Sequence, residues 1–164
     1  MVPRLAQPIL ALCALVWAAI LLATPLALAH GYATAPALIY QACALICHQR
    51  PERSFHLSGV QLPVCARCFG LYASGAIGAL TACVVAERRR GDGRAEDARW
   101  ALAIAAVPTA LTLGCEWIGL WYPSGAARAL AAIPLGAVAG WVLVRTLATG
   151  PTAVRTSGQV RYHS

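Results

Sequence analysis

The sequence predicts an all-α integral membrane protein, a four-helix bundle with a short interfacial or re-entrant helix before the second span. Three observations carry that reading. Of 164 residues, 59% are hydrophobic and 12% charged, and mean hydropathy is +0.64; this balance excludes both an ordinary soluble domain and a disordered chain. The apolar residues gather in four runs, each able to cross about 30 Å of hydrocarbon as a helix. The cations, all arginine, fall mostly between and beyond those runs. Length suits about one domain, residues 1–150, followed by a cytoplasmic tail, 151–164, that is expected to be disordered.

The first span runs from Pro8 to Ala29, with Arg4 as the one charge ahead of it. A cleaved signal peptide is the rival reading, because Ala27-Leu28-Ala29 is a small-residue processing pattern; the apolar run nevertheless exceeds the usual core of ~7–15 residues. Between His30 and Leu62 the composition is mixed. Ala35 to Cys47 is apolar but too short to cross, which gives the interfacial or re-entrant helix, with Pro36 in its first turn and Arg50-Pro51 ending the pattern. Polar residues from Gln49 to Ser58 should meet water or protein rather than lipid. A second span follows from about Val64 to Ala86, entered at Pro63. A third covers about Trp100 to Trp121, with Trp117, Trp121 and Tyr122 collected at one end like an interfacial aromatic belt. The short turn Pro123-Ser124-Gly125 then sends a fourth span, about Ala129 to Leu147, back antiparallel to the third.

Arginine placement sets the orientation. Arg4, the loop residues Arg88, Arg89, Arg90, Arg94 and Arg99, and Arg145, Arg155 and Arg161 all fall on one side, which should be cytoplasmic. Both termini are then inside, and the His30–Leu62 segment and the Tyr122–Arg128 turn are outside. Glu87, Asp92, Glu96 and Asp97 count little in this rule. The net charge of +7 is thereby explained by topology, so the partner is the lipid bilayer and not nucleic acid. A protein partner is unspecified, and a homo-oligomer is left open. Small residues repeat every fourth position, as Gly70, Ser74 and Gly78 in the second span and Ala132, Gly136 and Gly140 in the fourth; such stripes let helix backbones approach, so these two spans should touch.

Chemistry concentrates on the outer side. Within 22 residues the chain places Cys47-His48 and Cys65-Ala66-Arg67-Cys68. Three thiolates and an imidazole form a tetrahedral set for zinc, and the two-residue spacing lets both later sulfurs reach one ion. Neighbouring side chains on a regular helix point about 100° apart, so the helix must end or unwind at Cys47-His48, which the residue before Pro51 favours. His56 is a substitute nitrogen ligand. The same atoms admit thiol redox chemistry, because a Cys-X-X-Cys pair at a helix amino terminus has its thiolate stabilised by the helix dipole and by Arg67. A structural disulfide is the third alternative. Cys13 and Cys83, each inside a span, read as buried packing thiols, and Cys115, near the outer end of the third span, as a packing residue or an extra sulfur for the cluster. Glu116 is a carboxylate inside a span, costing about 2.5–3.5 kcal/mol at the bilayer centre and less near an interface. It should face inward and pair with Arg128, either as a structural ion pair or, with Arg53 and Arg67, as groups that orient ligands or bind an anion beside the cysteines.

Four membrane helices with Cys-X-X-Cys at the outer start of the second resemble the DsbB-type disulfide-forming proteins. That resemblance implies a quinone-linked thiol-disulfide oxidoreductase acting through Cys65 and Cys68. The second outer turn here has no cysteine pair, and Cys43 with Cys47, one helical turn apart, would have to stand in. A closer resemblance rests on the run CHQRPERSFHLSGVQLPVCARCFGLY. It is similar to the signature of a bacterial and archaeal membrane family known as domain of unknown function 2085, matching at Cys47, His48, Gln49, Arg53, Ser54, Gly59, Pro63, Val64, Cys65, Ala66, Arg67, Cys68, Gly70 and Tyr72. Phe69 stands where the family commonly has threonine. Glu116, Ser124, Arg128 and Gly136 fill the places of a later acidic residue, a serine-containing turn, an arginine and a glycine. The resemblance implies a metal-like or thiol site and no particular reaction. The resulting expectation is a Cys47, His48, Cys65, Cys68 zinc site with a structural or sensing role, since four protein ligands leave no position for substrate. Quinone-linked exchange is the alternative, and an assembly subunit stapled by the metal is a third.

Overall fold

A computed structural model describes residues 5–86 and 95–149. Arg4, Glu87, Arg88, Arg89, Arg90, Asp92, Arg94, Arg155, Arg161 and the expected tail lie outside them. The chain is mostly helical. Helices α1 (Ala6–Ala29), α3 (Ala66–Ala86), α4 (Ala95–Trp117) and α5 (Gly125–Thr149) are long and apolar enough to cross a bilayer, and α2 (Thr34–Ala44) is the expected short helix.

Two helices stop where a glycine adopts the left-handed conformation. At the end of α4, Gly119 has φ +71°, its N–H donates to the Glu116 carbonyl, and the Leu120 N–H donates to the Cys115 carbonyl. This doubly bonded reversal satisfies carbonyls that would otherwise be orphaned. It ends α4 at Trp117, earlier than the expected Trp121, and leaves Trp117, Trp121 and Tyr122 exposed at the rim as an aromatic belt requires. Gly31, with φ +88°, closes α1 in the same way through Gly31 N–H to Leu28 and Tyr32 N–H to Ala27.

The four long helices stand in the spatial order α1, α3, α5, α4, with the most extensive contact between α3 and α5. That is the seam foreseen from the small-residue stripes. A Cβ on Gly70 or Gly78 would overlap the backbone of Ala129 or Ala137, and one on Gly136 or Gly140 would overlap the backbone of Leu71 or Gly75. Lipid tails are as apolar as leucine, so this close backbone approach, rather than exclusion from water, is what joins the two helices. Ser74, at the centre of the stripe, turns its hydroxyl back to the Gly70 carbonyl at 2.7 Å and adds no exposed polar atom. Thr109 of α4 donates to the Ala131 carbonyl of α5 at 2.8 Å. Trp17 of α1 meets Tyr72 of α3 edge to face at 6.3 Å.

Cys83 is half-buried beside Ala79, Ala82 and Val144. Cys13 departs from its expected burial and lies exposed on α1. In a bilayer the outer surface of a helix is as apolar as the interior, so hydrophobicity does not decide which way such a thiol faces.

The segment before α3 is an ordered cap. Arg50 is extended (ψ 127°) ahead of Pro51, as the proline ring demands, and a 3-10 turn spans Pro51–Arg53. Strands β1 (His56–Leu57) and β2 (Val60–Gln61) then form a minimal hairpin whose two turn residues, Ser58 and Gly59, both have positive φ. This is the turn geometry that matches the twist of paired strands. The hairpin lies against α1. Its dipeptide Ser58-Gly59 is the one signal that sequence reasoning could have used to find it.

Candidate thiol and metal centre

The cap and the start of α3 bring three sulfurs together. The Cys65 carbonyl accepts the first helical bond from the Phe69 N–H at 2.9 Å, so Cys65 is the N-cap of α3 and Cys68 lies one turn in. At that position the Cys65 sulfur stands at the amino end of α3, where the backbone N–H groups of Arg67 and Cys68 favour its charged form. Cys47 arrives from the other direction. Its N–H donates to the Cys43 carbonyl as α2 finishes, and its sulfur accepts the Cys65 N–H at 3.1 Å. The sulfurs of Cys47, Cys65 and Cys68 lie within 4.8 Å of one another, and all are free thiols.

Hydrogen bonds of the cap fix this convergence. Gln49, in the left-handed region at φ 48°, donates from its amide to the carbonyls of Tyr40 (2.7 Å) and Pro63 (2.8 Å). Gln61 donates to the Gln49 carbonyl at 2.5 Å and to the Ser54 hydroxyl at 3.2 Å, and the Tyr40 hydroxyl donates to the Gln61 carbonyl. These bonds cross from α2 to the residue before Val64 and hold Cys47 and Cys65 at one level. Behind the sulfurs, Leu21, Cys43 and Val64 are fully buried. Cys43 thus packs directly behind the cluster, and burial, followed by the neighbouring Cys47, pushes its thiol above the ordinary range.

Electrostatics divides the thiols. Cys65, just ahead of the spanning part of α3, is pushed down to about 5, first by the hydrogen bond from the Cys68 thiol and then, against the cost of burial, by backbone N–H groups and Cys47. Hydrogen bonds to the charged form favour it. Of the Cys65–Cys68 pair, Cys65 is therefore the one that ionises first.

His48 takes a different direction from Cys47. It is exposed and stays outside the group of three sulfurs, although it lines the same cavity. Consecutive residues at a chain reversal face apart, so seating Cys47 inward leaves its neighbour at the surface. His56 is exposed in β1, away from the sulfurs, and Cys115 is not among them.

Beside the thiols is a second polar group. Glu116, whose side chain is 2% exposed, meets Arg53 at 2.9 Å, Arg128 at 3.0 Å and Arg67 at 3.4 Å. Three elements and the cap meet at this carboxylate. The reversal at Gly119 puts Glu116 in the last turn of α4. Ser124 caps α5 through the Ala127 N–H at 3.2 Å and so places Arg128 in its first turn. Phe55 packs edge to face on Phe69 at 6.1 Å and against Gly125, which carries Arg53 over the ends of α3 and α5. Sequence reasoning foresaw Arg128 as the partner of Glu116, but not that Arg53 and Arg67 would share it. The Arg67 guanidinium is turned to Glu116. A cavity of about 500 Å³ opens between the two groups, lined by the three cysteines, Glu116 and its arginines.

The donor set fits a soft divalent ion. Zinc–sulfur bonds of about 2.3 Å place tetrahedral sulfurs about 3.8 Å apart, within the spread of these three. Cys47, Cys65 and Cys68 would hold such an ion, which would supply charge neutralisation of the thiolates and a rigid link between the cap and α3.

Fold and site together define a multi-pass helical membrane protein with a thiol cluster at one end of its helices. The chain belongs to the family described as predicted membrane protein (DUF2085), whose family model matches residues 47–142. Those bounds begin at the first cysteine of the cluster and take in α3, α4 and most of α5. An uncharacterized protein of the archaeon Methanocaldococcus jannaschii, MJ1492, is 37% identical over 82 residues, 50% of this chain and 51% of that protein. A second, from Methanothermobacter thermautotrophicus, is 56% identical over 27 residues, 16% of this chain and 24% of that protein. The chain thus matches about half of the first relative's length and a quarter of the second's. No solved structure matches it.

Proposed function

We propose that this protein holds a zinc ion at the extracytoplasmic ends of its helices, bound by Cys47, Cys65 and Cys68 with His48 as the fourth ligand, in a structural or sensing role. The observation that carries the reading is the convergence of three sulfurs from two segments separated by a hydrogen-bonded cap. For His48 to complete the shell, its side chain must turn inward from its exposed position, which loading with metal would drive. Arg99 at the start of α4 and Arg145 near the end of α5 support the orientation, because both lie at the end opposite the thiols. The thiol-side arginines Arg53, Arg67 and Arg128 are gathered around Glu116 and turned into the protein. Arg53, Arg67, Glu116 and Arg128 support the site from beside it.

Metal analysis of the protein purified in mild detergent tests this. About one zinc per chain, released on acidification as the thiolates take up protons, is the expected result. A metal-free protein with a reversible Cys65–Cys68 disulfide would instead favour quinone-linked thiol exchange. The observation behind that second reading is the closeness of the Cys65 and Cys68 sulfurs at the start of α3, where a helix amino end favours one thiolate as in redox-active pairs. Reporter fusions after Ser58 and after Arg90 test the orientation; an external signal at Arg90 would reverse it.

A further inference from the structure

The arginines around Glu116 outnumber what they neutralise. Arg53, Arg67 and Arg128 bring three positive charges to one buried carboxylate, a local surplus of two. Uncompensated charge at this depth is costly.

Two unpaired nitrogens point the same way. The Nε atoms of Arg67 and Arg128 are buried and have no partner among the described residues, although each guanidinium already gives another nitrogen to Glu116. The Arg128 side chain is only 7% exposed. A buried N–H left without an acceptor is unfavourable, and more so when its group is charged. Both residues line the cavity of about 500 Å³, as do Cys47, Cys65 and Cys68. Glu116 acts here as a pivot that holds the planar forks in place without saturating them.

We infer that this cavity is an oxyanion site, in which Arg67 and Arg128 hold a carboxylate or phosphate group next to the thiol cluster. Guanidinium forks suit both groups through paired, charge-assisted hydrogen bonds. The oxyanion can belong to a soluble solute or to the headgroup of an anionic lipid, because the cavity opens at the level where the helices end. The site stands on the arginines alone and does not require that the sulfurs hold a metal.

The test uses the full chain in mild detergent, with and without bound zinc, titrated with inorganic phosphate or acetate against chloride at matched ionic strength. A parallel arm compares nanodiscs of phosphatidylglycerol and phosphatidylcholine. An anion that binds the folded state raises its melting temperature with concentration, and calorimetry reads the affinity directly. Specific stabilisation by phosphate or acetate identifies a soluble source, and stabilisation by phosphatidylglycerol alone identifies a lipid source; either supports the site. Arg67→Gln should weaken binding by about tenfold or more, as loss of a charge-assisted bond does, while Arg53 and Arg128 still engage Glu116. If that variant loses helicity, Arg67→Lys keeps the charge without the fork and should show the same direction of change. Arg145→Gln, at the opposite end of the helices, should bind as the wild type does. No response to any of the three probes overturns the inference, as does wild-type affinity in the Arg67 variants. Binding confined to the zinc-loaded protein would place the anion on the metal and overturn the arginine assignment, leaving the metal reading intact.

Discussion

The seam between α3 and α5 and the polar end of the same two helices solve opposite problems. Along the seam the chain removes side chains: Gly70, Gly78, Gly136 and Gly140 let backbone meet backbone, and the one hydroxyl, Ser74, is satisfied within its own helix. At the end the chain adds polar groups. Three thiols, one carboxylate and three guanidiniums crowd into the space that the diverging loops leave. The first region tolerates no added volume and has no charge to lose. The second has room, in its cavity, but depends on a balance of charge. Stability in the two regions therefore fails for different reasons, and substitutions can separate them.

The largest effect is expected at the polar end. Glu116→Gln removes the counter-charge of three arginines and leaves Arg128 buried without it, a loss of about 3–5 kcal/mol. Measured as unfolding in detergent, an effect below about 1 kcal/mol would show that the cluster is better hydrated than its burial implies. Next comes the seam. Gly78→Leu drives a side chain into the Ala137 backbone and should destabilise by about 1–3 kcal/mol or more, with no change in thiol reactivity. If Gly78→Leu alters zinc content or thiol labelling before it alters stability, the two regions are not independent.

Ser124→Ala removes the cap of α5 and should lower stability by about 1 kcal/mol, and it should also loosen the hold of Arg128 on Glu116. A pH series on thiol alkylation of the metal-free protein sharpens the electrostatic half of the comparison. Because the Cys65 thiolate is held down to about 5, its labelling should stay nearly constant from pH 8 to pH 6, where ordinary thiols slow about a hundredfold, and should fall only as pH approaches the lowered value. Labelling that slows tenfold per unit throughout would mean that Cys68 does not stabilise the thiolate. The smallest effect belongs to the exposed side of α4, where Ile104→Ala removes a side chain that is 68% exposed and should change stability by less than about 0.5 kcal/mol.

The two regions also differed in how readable they were. The seam is local: small residues at every fourth position occupy one face of a helix, so Gly70, Ser74 and Gly78 announced a close-packed neighbour without any knowledge of the fold. The four spans were readable for the same reason, since length and apolarity are properties of a single segment. The polar end was readable only in its chemistry. Cys47, Cys65 and Cys68 stood out as ligands, and Glu116 as a carboxylate needing a partner. Their arrangement depends on contacts that no short window contains, such as Phe55 on Phe69 carrying Arg53 to Glu116 across 63 residues. His48 shows the limit most clearly: its side chain is a good zinc ligand, but the backbone reversal at Gln49 decides which of two neighbours faces in. Cys13 shows another, because in lipid an apolar residue has no preferred side.

The order of the helices, with α3 against α5 and α4 outermost, has a bearing on how the protein is made. Synthesis delivers α3 before α5, so the furrow of Gly70 and Gly78 lacks its mate until the last helix is made. The carboxylate of α4 likewise enters the bilayer before the guanidinium of α5 that will sit against it at 3.0 Å. During that interval Arg53 and Arg67, both upstream of Glu116, are its available escorts. The ring of cations around the acidic residue is therefore closed only by α5, the last helix to be made.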